Sequence, residues 1–143
     1  MNAEVICYKE DWGQVKKVGI SQGREQEKSA AKQAYPQLAQ FQEITQKAVL
    51  YTLEDGQVDA VIQDLTKASK VLQYETKPLS ETDYISYVMV VDKKFARTEA
   101  FEDFLESYNH AVAKLNDSRY LAKKLGVEEA WLQDKHIEFL PIE

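Results

Sequence analysis

Short strand-like segments alternate with helix-like segments along the first half of the chain, and this alternation constrains the fold more than any other feature. Residues 3–8 are apolar and rich in strand formers, and residues 15–20 read as a second strand that runs into Ser21-Gln22-Gly23-Arg24. From 25 to 35 the period becomes helical, with Ala30, Ala31, Ala34 and Leu38 on one side, and Pro36 ends the run because the residue before a proline avoids helical backbone. Residues 41–44 form a short strand. Thr45 is then a good N-cap for a helix carrying Val49, Leu50 and Leu53, and Gly56 is its natural stop. The clearest strand is 58–65. A short helix over 67–72, an extended stretch over 74–79 and an apolar strand over 84–91 follow. Strands separated by short helices make βαβ units, whose crossovers are right-handed. The expected architecture is therefore three-layer α/β, a mostly parallel sheet of about five strands with helices on both faces. Within it, 15–20, 41–44 and 58–65 should be mutually parallel.

The second half is helical. Between 98 and 116 the apolar residues Phe101, Phe104, Leu105, Tyr108, Val112 and Leu115 form one stripe at helical period. Asp117 can cap a further helix closed by Gly126, 128–132 adds a last helical turn, and 137–142 is an extended tail. No repeat or linker-like segment interrupts the chain, so 1–143 reads as a single domain. Residues 3–97 would hold the sheet, and 98–143 the C-terminal helices and tail.

Composition removes several functions. No apolar run approaches the ~20 residues of a membrane helix. The net charge is −6, and there is no basic face for tracking phosphates, so nucleic acid is not an expected partner. The single cysteine, Cys7, allows neither an internal disulfide nor a Cys-based zinc site, and in an apolar strand it reads as inert packing. The N-terminus lacks the basic start and apolar run of a signal peptide, so a complete gene product of this sequence would be cytoplasmic.

In an open α/β sheet, ligands sit outside the carboxyl ends of the strands. Two loops qualify. Ser21-Gln22-Gly23-Arg24 offers backbone N–H groups, a close-approach glycine, a hydroxyl and a guanidinium, which suits a small polar or anionic molecule. Asp64-Leu65-Thr66 follows the central strand. Against this, Glu25 and Glu27 already place negative charge on the first turn of the next helix, and no Gly-Lys-Ser/Thr marks a nucleotide loop. Trp12 and Tyr84 border strand ends near these loops and are the aromatic candidates for ligand contact. His110 lies on a charged file with Glu102, Glu106 and Lys114, His136 has no marked partner, and no nucleophile stands beside a base. The expectation is a binding protein with neither catalysis, metal nor cofactor.

The order of motifs resembles the second lobe of type II periplasmic binding proteins, the substrate-binding subunits of ABC importers. The residues that carry it are Lys16-Lys17-Val18-Gly19-Ile20-Ser21-Gln22-Gly23, then Leu53-Glu54-Asp55-Gly56-Gln57-Val58-Asp59-Ala60 with Asp64 after it. Tyr84-Ile85-Ser86-Tyr87-Val88-Met89-Val90-Val91-Asp92-Lys93 and the helical ending from Phe101 to Gly126 complete the series. The resemblance implies capture of a small molecule for an ABC permease, outside the cytoplasm and without chemistry. It implies that Ser21, Gln22, Gly23 and Arg24 line the cleft, that Asp64 and Thr66 face it, and that 3–8 and 84–91 are crossover strands. A first lobe provides the other half of the cleft in that family. On this chain the surface facing such a lobe (Val5, Ile6, Val88, Val90 and Phe104) would need other cover, which implies a homodimer. The alternative is a cytoplasmic ligand-sensing effector or interaction domain of the LysR-type regulator kind, whose fold is similar.

Overall fold

A computed structural model describes residues 4–79 and 88–143. Five strands, β1 (Glu4–Tyr8), β2 (Lys17–Ser21), β3 (Gln40–Ile44), β4 (Ala60–Asp64) and β5 (Glu75–Pro78), form one sheet in the order β3-β2-β4-β1-β5. β2 pairs in parallel with both β3 and β4. β1 runs antiparallel to both of its neighbours, with Ile6 opposite Ile62 on one side and Lys77 on the other. Four of the five strands thus point the same way. The expected mostly parallel sheet holds, and the three strands expected to be mutually parallel are so.

Alternation along β1 explains why all five of its residues are buried. Ile6 and Tyr8 join a cluster with Val18, Ile20, Ala30, Ala31 and Ile62, under α1 (Glu25–Ala34). Val5 and Cys7 face the other way, into Val49, Leu53, Val61 and Ala68 of the layer built by α2 (Val49–Glu54) and α3 (Leu65–Ala68). A strand covered on both faces needs apolar residues at both parities, and 5–8 supply them. Gly19 matters here for lack of bulk. A Cβ on it would lie 2.4 Å from Ile44 Cδ1 and 3.2 Å from Val61 Cγ1, so glycine lets the second layer close down on β2.

Some local expectations are corrected. Thr45 does not cap α2. Its carbonyl accepts the Ala48 N–H at 2.8 Å in a turn that carries the chain to the other face of the sheet, and the helix begins only at Val49. The helix expected over 67–72 is α3, four residues long and starting at Leu65, because Asp64 caps it from the end of β4. Gly56 does stop α2, in a left-handed conformation at φ +75. Of the strand expected over 84–91, residues 84–87 lie outside the described residues and 88–91 form no strand.

Thr98 caps α4 (Glu99–Leu115) through the Phe101 N–H, and Asp117 caps α5 (Ser118–Leu125) through that of Tyr120. α5 and α6 (Glu129–Leu132) pack Leu121, Ala122 and Leu132 against Leu65 of α3. The stripe on α4 is covered at only one end. Val112 is buried, but Phe95, Phe101, Phe104 and Tyr108 form a ladder of rings 5.7–6.0 Å apart that is half-buried at best. The tail lies along α4, held by Asn109, which exchanges two 2.9 Å bonds with Ile142, and by Asn116, which does the same with Phe139 at 2.8 and 2.9 Å. Among the described residues no helix is long and apolar enough to cross a membrane.

Candidate functional site

β2, β3 and β4 end together at Ser21, Ile44 and Asp64, and Glu4 at the start of β1 lies opposite Asp64. From this edge the chain leaves in two directions: after β2 it enters α1 on one face, after β3 and β4 it enters α2 and α3 on the other. The gap between β2 and β4 is therefore a topological switch point, where loops diverge and leave a crevice. Ser21–Arg24 and Asp64–Thr66 leave the carboxyl ends of β2 and β4 on its two sides.

Much of the hydrogen-bonding capacity of the first loop is already used. Arg24 pairs with Glu4 at 2.8 Å and with Glu27 at 3.1 Å, and both carboxylates are only 1% exposed. The Ser21 N–H donates to Glu27 Oε2 at 2.9 Å, that of Gln22 to Ile44 O at 2.8 Å, and that of Arg24 to Ser21 O at 3.1 Å. Burial pushes the Glu27 carboxyl up to about 7, against the pull of the Ser21 bonds and the Arg24 charge, with Glu4 adding to the rise. Arg24 thus braces the crevice wall, and the exposed parts of the loop are the Gln22 side chain and Gly23. Sequence reading missed the Glu4 and Glu27 pair. Its one signal was a glutamate opening the first apolar segment and another in the first turn of α1, with Arg24 between them.

Asp64 also has a structural task. It accepts from the Lys67 N–H at 3.0 Å and from the Thr66 hydroxyl, and its second oxygen lies 3.3 Å from Lys67 Nζ. Desolvation raises its carboxyl, but these bonds together outweigh that and hold it below the usual range. Thr66 is exposed beside it. Trp12 does not join them. It sits past the end of β1, at the opposite edge of the sheet, packed between Tyr8 and Tyr35 with ring centroids 5.1 and 4.9 Å away. β1 runs against its neighbours, so its carboxyl end lies where theirs begin. Tyr84 lies outside the described residues. His110 and His136 are exposed. Cys7 is buried, and desolvation pushes its thiol up to about 12, which keeps it protonated.

Two concavities adjoin the sheet edges. One, of about 240 Å³, lies at the amino edge between Lys9, Asp11, Leu53 and Asp59, whose carboxylate already accepts the Lys16 and Lys17 N–H groups. The other, of about 390 Å³, opens at the carboxyl edge between Gln46, Lys47, Leu50, Gln63 and Lys67.

No family model and no curated protein matches the sequence. Solved structures do. One, described as the basis of glutathione import in Gram-positive bacteria via GshT and the cystine ABC importer TcyBC of Streptococcus mutans, superposes over 91% of this chain and 63% of its own, at 13% identity and a TM-score of 0.51. The fold is that of a periplasmic-binding-protein-like lobe. Solute receptors for L-cysteine of Neisseria gonorrhoeae match over 92% of this chain and 56% of theirs, at 18% identity and a TM-score of 0.43. YhfZ from Shigella flexneri matches over 57% and 38%, at 24% identity and a TM-score of 0.45. The chain spans less than two thirds of the length of each of these structures.

Proposed function

We propose that this chain provides one wall of a site that captures a small polar or anionic molecule outside the cytoplasm and delivers it to an ABC permease, with no chemistry of its own. The observation that carries the reading is the switch point between β2 and β4, stiffened from below by the Glu4–Arg24–Glu27 cluster; in this reading Gln22, Gly23, Asp64 and Thr66 meet the guest. Stiffness suits capture, because a wall that does not reorganise on binding loses less affinity to ordering. The fold it shares with a protein described in connection with glutathione import favours capture over the sensing role of a regulator. The chain also self-associates through the apolar residues left exposed on and before α4.

A thermal-shift screen with amino acids, small thiols, peptides and carboxylates, followed by calorimetry on the hits, tests the reading. At least one hit should lose fivefold or more in affinity in both Gln22→Ala and Thr66→Ala, variants at exposed positions that leave the melting temperature unchanged. A panel without hits, or hits indifferent to both substitutions, sinks it.

A further inference from the structure

Gln63 is the penultimate residue of β4 and only 5% exposed. Its side chain shares a parity with Val61, on the α2/α3 face, and it lines the 390 Å³ groove at the carboxyl edge. A carboxamide carries two donors and an acceptor oxygen. Among the described residues, none of these finds a hydrogen-bond partner. Buried polar groups are satisfied in the great majority of cases, by protein, water or ligand. The groove is also charged in one sense. Lys47 has no ion-pair partner among the described residues, while Lys67 is balanced by Asp64 at 3.3 Å and keeps further N–H donors. Leu50 supplies an apolar side and Gln46 a second carboxamide at the mouth.

We infer that this groove is a binding site for a small oxyanion, a carboxylate or a phosphate, held by the buried Gln63 amide and the Lys47 and Lys67 ammonium groups. One uncompensated positive charge selects a guest of net negative charge. The buried amide selects one that accepts hydrogen bonds in a fixed direction, which a halide satisfies poorly. β2 and β4 pair at Val18–Ala60 and Gly19–Val61, and Gln63 follows two residues later along β4, next to Asp64 at its carboxyl end. The groove therefore abuts the crevice described above, but it uses different side chains and does not depend on that reading.

The test is a titration of the 15N-labelled chain with inorganic phosphate and, separately, with sodium acetate, against sodium chloride at matched ionic strength. The side-chain NH₂ signals of Gln63, assigned by their loss in Gln63→Leu, should move saturably with phosphate or acetate and not with chloride. Which of the two binds more tightly tells the oxyanion class. Lys47→Ala should weaken binding at least fivefold, and Gln22→Ala should leave it unchanged, so failure here is separable from failure of the capture reading. Gln63 signals that stay still, that follow chloride equally, or that saturate with the same affinity in Lys47→Ala overturn the inference. If Gln63→Leu does not fold, Gln63→Glu serves for assignment and Lys47→Ala still decides.

Discussion

Arg24 and its two carboxylates carry the most consequential chemistry of any single cluster in the chain. Removing one partner of a buried ion group leaves uncompensated charge, which costs about 3–5 kcal/mol in comparable cases. Arg24→Ala should therefore lower unfolding stability by about that much in urea titrations. Arg119→Ala, which removes an exposed 3.9 Å contact with Glu129, should change it by less than about 0.5 kcal/mol. Glu27 gives a pH signature. Its folded value is raised from 4.5 to about 7, so the native state holds a proton that the unfolded chain has released over that interval. Its contribution to stability is fully present below about pH 4.5 and is lost as pH rises through about 7, at most roughly 3 kcal/mol in all. Urea midpoints measured from pH 5 to 8 should fall with pH in the native chain, and Glu27→Gln should flatten that slope; an unchanged slope refutes the assignment. The loop was legible in the sequence as a candidate site because glycine, serine and arginine there are local signals. That Arg24 is engaged from below was not, because Glu4 lies twenty residues earlier and reaches it only through the pairing of β1 with β4.

At the level of elements, what sequence made plain was whatever depends on near neighbours. Asp117 caps the helix it was expected to cap, and Gly56 and Gly126 close the helices before them. Direction was not legible. Nothing in residues 4–8 says that β1 inserts antiparallel between β4 and β5, and that reversal is what moves Trp12 to the far edge. Coverage was not legible either. The helical period of α4 specifies its apolar stripe but not what meets it, and only the end near Val112 is met. The size order of truncations should therefore invert along this helix. Val112→Ala, at a residue 5% exposed, should cost about 2 kcal/mol, whereas Phe104→Ala, at one 40% exposed, should cost less than about 1 kcal/mol despite removing a larger side chain. Chemical denaturation of the two variants side by side decides it, and equal or reversed losses mean that Phe104 is packed.

For the whole molecule, the issue is where apolar surface remains. Val5 and Ile6, expected to need cover, are buried within the sheet layers, so of the residues expected to need it Val88, Val90 and Phe104 remain. Val88 is 79% exposed, Val90 92%, and Met89, Phe95 and Phe104 are exposed as well. Contiguous apolar patches of more than a few hundred Å² mark interfaces. The charges on this one suit a second copy of the same chain. Lys93, Lys94 and Arg97 lie at one end of the ring ladder, and Glu99, Glu102, Asp103 and Glu106 follow along α4. Two copies related by a two-fold axis near Phe101 would set the basic end of each against the acidic run of the other while the rings meet in between, a self-complementary contact. Sedimentation equilibrium should therefore show a monomer–dimer equilibrium that weakens with added salt. Val90→Asp combined with Phe104→Asp should abolish it while costing the monomer little stability, because neither side chain is buried in the core. Oxyanion binding in the Gln63 groove should survive this double substitution, since α4 contributes nothing to that groove. A chain that stays monomeric at the highest concentration reached, or a dimer indifferent to both aspartates, would place the interface elsewhere and leave the α4 face to a different partner.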